Sequence, residues 1–219
     1  SAMTVLAVRA MYIAIFSRDA VALLSALNEL ERFTSIAPKL RTIKAIGEAC
    51  LEHLRGKSER AVALYERVLA TEDSQKIASR VVDQTLYAAE LNACEHYERA
   101  REVCSELLGP PPYEASVQGR IAVPQLALAE AGLGRHELAA DMMDRLIASL
   151  EVRDNPLELG GAHRDRARIA IRAGDKVAYE RHFEAMQRLF VSTQNSSLIT
   201  QVDLIEGEAQ RSGIASSSG

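Results

Sequence analysis

Residues 40–69, LRTIKAIGEACLEHLRGKSERAVALYERVL, contain the pattern that decides the fold. A run rich in helix-forming residues ends at Gly56, and a second such run begins beyond Ser58 with Ala61. Glycine can adopt the left-handed conformation that ends a helix, and a serine just after it can cap the next helix. The stretch therefore predicts a helix, a tight turn and a second helix.

The same pattern recurs along the chain with a period of 39 residues. Small side chains at fixed positions allow antiparallel helices to cross closely, and stacking successive helix pairs then creates a core that no pair could form alone. Three tracks share this period: Ala22, Ala61, Ala100, Ala139 and Ala178; Ala10, Ala49, Ala88, Ala127 and, one residue late, Ala167; and Leu30, Leu69, Leu108, Ile147 and Met186.

Turn signals and prolines fall between these tracks. The prolines at Pro38, Gly109–Pro112 and Asn155-Pro156 lie between periods, where proline can stop one helix or open another. Pro124 does not fit, because it falls inside the first helix of the fourth period, which must either begin there or be kinked. The turn signals are Ser17–Asp19, Gly56–Ser58, Glu95–Tyr97, Gly134–His136 and Gly174–Lys176.

This order of residues resembles the tetratricopeptide repeat, in which a small residue precedes a turn glycine, an alanine and then an aromatic or large apolar residue. Ala49, Gly56, Ala61, Tyr65 and Leu69 match that order and spacing. The usual period of the family is about 34 residues and its first-helix Trp is missing here, so the array is divergent. HEAT-type repeats have a closer period of about 40–47 residues, but the Gly-then-Ala signature favours the tetratricopeptide family.

The repeat and this resemblance together predict an all-α fold, a right-handed α-solenoid of antiparallel helix pairs with a C-terminal capping helix. We expect residues 1–3 to be a tag remnant and start, residues 4–212 to form a single domain and residues 213–219 to be a disordered tail. The five pairs are predicted at 4–36, 40–72, 75–109, 116–151 and 156–191, and the capping helix at 196–212.

Composition excludes several classes of function. The formal net charge is −4 and acidic and basic residues alternate, whereas nucleic-acid binding usually needs a basic stripe. The three cysteines lack the spacing of a disulfide framework, which indicates reduced thiols in the cytoplasm. No signal peptide and no apolar run long enough to cross a bilayer occurs, so we expect no membrane partner.

Catalytic and metal-binding patterns are also missing. None of the five histidines stands in an H-E-x-x-H spacing, and no phosphate-loop or nucleophile-elbow motif occurs. Cys94, His96 and Cys104 could supply three of four zinc ligands. Cys104, however, occupies the position of Tyr65 and Met143 in other repeats, which indicates a core residue. We therefore expect no metal, no cofactor and no enzymatic activity.

A binding surface is predicted on the first helices, which line the concave face in arrays of this kind. An apolar lining there would accept an amphipathic helix or peptide. The alternative is that the same residues are simply core. By helical phase, the representative lining residues are Met11, Ile46, Cys50, Thr85 and Leu128.

Arg164, Arg168 and Arg172 form a stripe at i, i+4 and i+8 on the predicted ninth helix. Guanidinium groups can hold carboxylates in bidentate fashion. Some tetratricopeptide domains hold the terminal carboxylate of a partner with basic first-helix residues, so the resemblance implies such a role here. The alternative is a solvated face on which Asp165 and Glu158 supply intrahelical partners.

The resemblance implies a non-catalytic scaffold or adaptor that binds a peptide or helix of a partner protein, and a homodimer is also considered. Two alternatives stay open. In the first, the chain is a regulatory or sensor module of a larger bacterial signalling protein, such as a kinase or transcription regulator. In the second, it is a receptor for a peptide or small molecule.

Overall fold

In a computed structural model of the chain, the described residues are 2–35, 40–70, 80–109, 111–113, 116–153 and 155–215. They form eleven α-helices, and no strand occurs among them. The chain divides into two compact units, Ser1–Cys94 and Glu95–Gly219. The helices are α1 (Ala2–Phe16), α2 (Ala20–Thr34), α3 (Leu40–Leu54), α4 (Ser58–Leu69), α5 (Arg80–Ala93), α6 (Tyr97–Leu108), α7 (Val117–Gly132), α8 (His136–Glu151), α9 (Pro156–Ala173), α10 (Lys176–Ser192) and α11 (Ser196–Arg211).

The first unit contains α1 to α5. In it, α1 and α2 form one packed hairpin, and α3 and α4 form another. Helix α2 also packs against α3, and α4 against α5. A Cβ atom added at Gly47 would lie 2.7 Å from atoms of Leu27 and Met11, so the missing side chain allows α3 to approach the first hairpin closely. Fully buried side chains of this unit include Met11, Leu23, Leu30, Ile46, Tyr65 and Leu91.

The second unit contains α6 to α11, in which α9 packs against α7, α8, α10 and α11. A Cβ atom at Gly160 would lie 2.6 Å from the Phe190 ring, so α9 and α10 are in close contact at that glycine. One cluster of the core comprises Ala167, Ala170, Ile171, Ala178, Tyr179, Met186, Phe190, Leu198, Val202, Ile205, Ala209 and Ile214. Helix α9 is therefore the central helix of this unit.

The hairpin turns share one backbone geometry. Gly56, Gly134 and Gly174 have positive φ angles of 75°, 82° and 70°. Arg18 and Glu95 adopt the same left-handed conformation, with φ of 56° and 61°, although neither is glycine. After the glycine turns, the next amide donates to a carbonyl five residues earlier, for example Lys57 to Glu52 at 2.9 Å, which is the Schellman motif.

The helix caps agree only in part with the sequence expectation. The Asp19 carboxylate accepts hydrogen bonds from the amides of Val21 and Ala22, and Asn155 accepts one from Glu158 at 3.2 Å. The expected cap Ser58 is instead the first residue of α4, and the preceding residue, Lys57, makes no side-chain capping bond.

Pro124 lies inside α7, which begins at Val117 after the N-cap Ser116. The alternative that this helix begins at Pro124 is therefore wrong. Because proline has no N–H, the helical hydrogen bond to the Arg120 carbonyl cannot form.

Some of the predicted features lie outside the described residues. They are Pro38, Pro110, residues 36–39 and 71–79 at the ends of predicted pairs, and residues 216–219 of the predicted tail. The division into a single domain stays a prediction.

Candidate interaction surface

The residues predicted to line an apolar groove are buried. Their exposed fractions lie between 0% for Met11 and 7% for Leu128, with Ile46, Cys50 and Thr85 between these values. Such burial is typical of core packing, which is the alternative that the sequence left open. A partner would have to separate the helices before it touched these side chains. Their binding role stays a prediction.

Two of these residues also have polar partners within the first unit. The Cys50 sulfur lies 2.9 Å from the Tyr65 hydroxyl, and burial raises the pKa of the Cys50 thiol to about 12. The Thr85 hydroxyl donates to the Val81 carbonyl at 2.7 Å, within the same helix. Cys50 is therefore a neutral thiol at physiological pH, which suits neither nucleophilic attack nor metal binding.

Arg164 is held by its neighbour. Its Nε and Nη2 atoms donate to the two carboxylate oxygens of Asp165 at 2.8 and 3.1 Å. The Arg164 side chain is 17% exposed, and that of Asp165 only 4%. Asp165 is therefore an intrahelical partner, as the alternative expected, but the pair is largely buried and not on a solvated face. Glu158 is not, because it accepts from Arg120 of α7 at 3.2 Å.

Arg168 holds a carboxylate of the protein itself. Its Nε and Nη2 atoms donate to the two oxygens of Glu208 on α11 at 3.0 and 2.7 Å. Both side chains are partly exposed, 27% for Arg168 and 32% for Glu208. This bidentate pair fixes α9 to α11 and places the guanidinium at the surface in a geometry that suits carboxylates.

Arg172 is the most exposed member of the stripe and is oriented by two contacts. Its Nη1 atom donates to the Leu128 carbonyl at 3.1 Å, and its guanidinium carbon lies 4.9 Å from the centre of the Tyr97 ring. A Cβ atom at Gly132 would lie only 2.4 Å from that ring, so this glycine leaves the space that Tyr97 occupies. A cation stacked on an aromatic face loses little freedom when it binds an anion.

Tyr97 and Gly132 were not identified from the sequence as part of the site. Tyr97 is the first residue of α6 and Gly132 the last of α7, so both belong to turn regions. The sequence of a turn indicates its backbone conformation. The spacing of Tyr97 and Gly132 gives no sign that either lies near Arg172.

A second polar cluster lies behind the stripe, on the buried side of α9. The Nδ1 atoms of His163 and His182 are 2.9 Å apart, and Arg166 donates to Asp144 at 2.9 Å. Burial, together with the nearby guanidinium groups of Arg166 and Arg181, lowers the pKa of His182 to about 4. Burial also lowers the pKa of His163. Both imidazoles are therefore neutral at physiological pH.

The first unit contains a histidine–carboxylate pair whose geometry differs from that of a serine–histidine–carboxylate triad. His53 Nδ1 lies 2.7 Å from Glu90, and its Nε2 accepts from Arg18 at 2.9 Å. Ser58 lies 3.3 Å from the same Nδ1 atom that contacts Glu90. A general base for serine needs its carboxylate and its hydroxyl on opposite ring nitrogens. Here the second nitrogen is bound to a cation instead.

Neither a metal site nor a membrane-spanning helix is found among the described residues. Among the described residues, no group of three or more His, Cys, Asp or Glu side chains could hold a metal ion. Cys104 is fully buried, and burial raises its pKa to about 12, which is consistent with the core position predicted for it. Of the helices in the described ranges, none has the length and apolar character needed to cross a bilayer.

Comparisons with known proteins bear on the fold. No family model matches the sequence, and no curated protein matches it. The crystal structure of the nearly identical TPR-like repeats of a Podosopora anserina putative kinesin light chain is similar, with a TM-score of 0.50, 19% identity and 96% coverage of both chains. A variant of that protein gives a TM-score of 0.51, 18% identity and coverage of 96% and 95%. The predicted all-α, tetratricopeptide-like helical-repeat fold is confirmed.

Proposed function

We propose that the chain is a non-catalytic interaction module that binds a segment of another protein, and that Arg168 and Arg172 hold a carboxylate of that segment. The observation that carries this proposal is the exposed Arg172 guanidinium, oriented by the Tyr97 ring and the Leu128 carbonyl. A guanidinium has five N–H donors, so one hydrogen bond leaves most of its donors for a ligand.

Arg168 extends the same surface by one helical turn. Residues four apart on a helix have Cβ atoms about 5–6 Å apart, so one peptide segment can reach both guanidinium groups. The existing bond from Arg168 to Glu208 means that a ligand carboxylate must share or replace that partner. Arg164 contributes least, because Asp165 occupies two of its donors and its side chain is less exposed than that of Arg168, 17% against 27%.

The fold supports a binding role, because helical repeats present extended surfaces to partner chains. The similar solved structures are themselves described as TPR-like repeats. The cytoplasmic location, the signalling context and the receptor alternative stay predictions, and the proposal requires no cofactor.

The test measures binding to an array of peptides with free C-terminal carboxylates, each synthesised also as the C-terminal amide. We expect selected peptides to lose at least about tenfold in affinity for Arg172→Glu, and less for Arg168→Glu, because reversing the charge repels the carboxylate. The double reversal of Arg164 and Arg168 should also weaken binding. The matched control is Arg145→Glu, since Arg145 is an exposed arginine on α8 outside the stripe.

Each variant must also retain its helical circular dichroism, so that unfolding does not explain a lost affinity. Equal affinity of wild type and Arg172→Glu for every bound peptide would contradict the proposal. So would an equal loss in the Arg145→Glu control.

A further inference from the structure

Helix α1 is apolar on both of its sides. Its sequence, AMTVLAVRAMYIAIF, contains a single charged residue, Arg9. Met11, Ala14 and Ile15 on one side are buried in the core of the first unit. On the other side, large apolar side chains are 56–66% exposed, although a helix that is apolar all round is normally buried. These exposed residues are Met3, Val5, Leu6 and Ile13.

The spacing on the exposed side is that of a helix–helix seam. Met3, Leu6, Ala10 and Ile13 follow one another at steps of three, four and three residues, which is the a/d pattern of a coiled coil. The seam is about 15 Å long at 1.5 Å per residue. Ala10 is small and exposed, so a second helix could approach closely at its centre.

The repeat offers an independent comparison. Ala49, Ala88 and Ala127, which share the track of Ala10, are fully buried. Ala10 itself is exposed, and so is Ala22, the first member of the other alanine track. In the first helix pair, these alanine positions are therefore exposed to solvent, whereas in the later pairs they are buried.

We propose that a second copy of the chain covers this surface, with α1 packed antiparallel against the partner's α1 about a two-fold axis. The seam is complementary to itself in this arrangement. A two-fold axis midway along it places Leu6 opposite the partner's Ala10, and Met3 opposite the partner's Ile13. Large side chains thus meet small ones at the centre, as close packing requires.

The exposed area agrees with a dimer. Counted together with Val21 and Leu24 of α2, which are also exposed, the exposed apolar side chains of the first hairpin present a surface on the order of 600 Å². A stable interface needs about 800 Å² per partner, which this surface approaches before any polar rim is counted. This inference does not depend on the stripe of α9, so either proposal can fail alone.

The single charge on α1 distinguishes a second copy from an acidic partner helix by the response of the complex to salt. Arg9 brings the same sign to both sides of a two-fold contact, and its long stem allows the guanidinium to reach solvent. Added salt should therefore tighten the association or leave it unchanged, because salt screens the arginines and strengthens apolar burial. An acidic partner helix would instead dissociate as salt increases.

The test is sedimentation velocity of the intact chain over a range of concentrations. At about 100 μM we expect a mass near twice that of the 23.9 kDa chain. Leu6→Glu and Ile13→Glu should each weaken dimerisation at least about tenfold, because each buries a carboxylate in the seam. The control is Val177→Glu, because Val177 of α10 is also apolar and is 78% exposed. This variant should remain dimeric.

Orientation is tested by cross-linking. In a Cys94→Ser background, a chain with both Leu6→Cys and Ala10→Cys should form an interchain disulfide on oxidation, whereas Val177→Cys should not. A monomeric wild type at every concentration overturns the proposal and means that a different partner covers α1. Dimers that persist in both glutamate variants, with unchanged helical circular dichroism, overturn it as well.

Discussion

Replacing His182 with Asn should remove most of the acid sensitivity of the α9–α10 hairpin. His182 Nε2 accepts from Arg181 at 2.9 Å, so the neutral ring carries its proton on Nδ1 and donates it to His163. A second proton on Nε2 would face the Arg181 guanidinium inside a buried site. This geometry explains why burial and the neighbouring cations lower the pKa of His182 from 6.5 to about 4.

The magnitude follows from that difference in pKa. Between pH 6.5 and 4, unfolded His182 binds a proton that the folded protein excludes, so the free energy of unfolding decreases as the pH falls. At 1.36 kcal/mol per pKa unit the full loss is about 3 kcal/mol, and it is complete below pH 4. His163 acts in the same direction, since burial lowers its pKa as well. Asp144 and Glu151 oppose the effect, and Arg188 adds to it.

Hydrogen exchange measured by mass spectrometry reports this effect locally. Peptides from α9 and α10 should lose protection between about pH 7.5 and 4.5, after correction for the intrinsic exchange rate, by up to about 3 kcal/mol. In His182→Asn the same peptides should show a much smaller dependence on pH, even if their protection at neutral pH is lower. His96→Asn, a substitution of an exposed histidine, is the control and should retain the wild-type dependence.

An identical pH dependence of protection in wild type and His182→Asn would refute this reasoning, because the excluded proton would then belong to another group. Loss of the dependence in His96→Asn would refute it too.

Two further predictions concern backbone and packing, both measured by thermal denaturation. Glu95→Gly should raise the free energy of unfolding by about 1 kcal/mol, because Glu95 holds a left-handed φ that glycine adopts without strain. Gly134→Ala should lower the free energy of unfolding by a similar amount. Two changes of the same sign would contradict the argument. Gly160→Ala should destabilise by about 2 kcal/mol, since its Cβ would overlap the Phe190 ring. The adjacent Gly161→Ala has open space around its Cβ and should be neutral or slightly stabilising, so equal losses at both glycines would contradict the packing explanation.

The repeat was predictable because it depends on short-range chemistry. A turn glycine ends one helix, and an alanine five residues later allows the next helix to cross it closely. Gly56 with Ala61 and Gly134 with Ala139 therefore predict hairpins without knowledge of the remaining structure. Arg18 was harder, because its positive φ is imposed by the hairpin around it and not by its own preference.

The site was less predictable because it depends on how helices are rotated. An error of one residue in helical phase turns a side chain by about 100°, which moves it from a surface to the core. Cys50 and Ile46 were assigned to a groove by phase and are buried. The contact between Arg172 and Tyr97 joins residues far apart in sequence, and no spacing within one helix encodes it.

The basic run of α9 shows why helical phase has to be resolved before a charge is interpreted. Arg166 and Arg168 are two residues apart, so they project from different sides of the helix. Arg166 is buried and bonded to Asp144, beside the two histidines. Arg168 is partly exposed and bonded to Glu208. In the run HRDRAR (163–168), one arginine therefore stabilises the interior of the second unit, while Arg164 and Arg168 lie on the side that continues to Arg172. A count of basic residues would assign all of them to a single role, whereas their contacts separate the buried arginine that holds the fold from the partly exposed arginines of the proposed binding stripe.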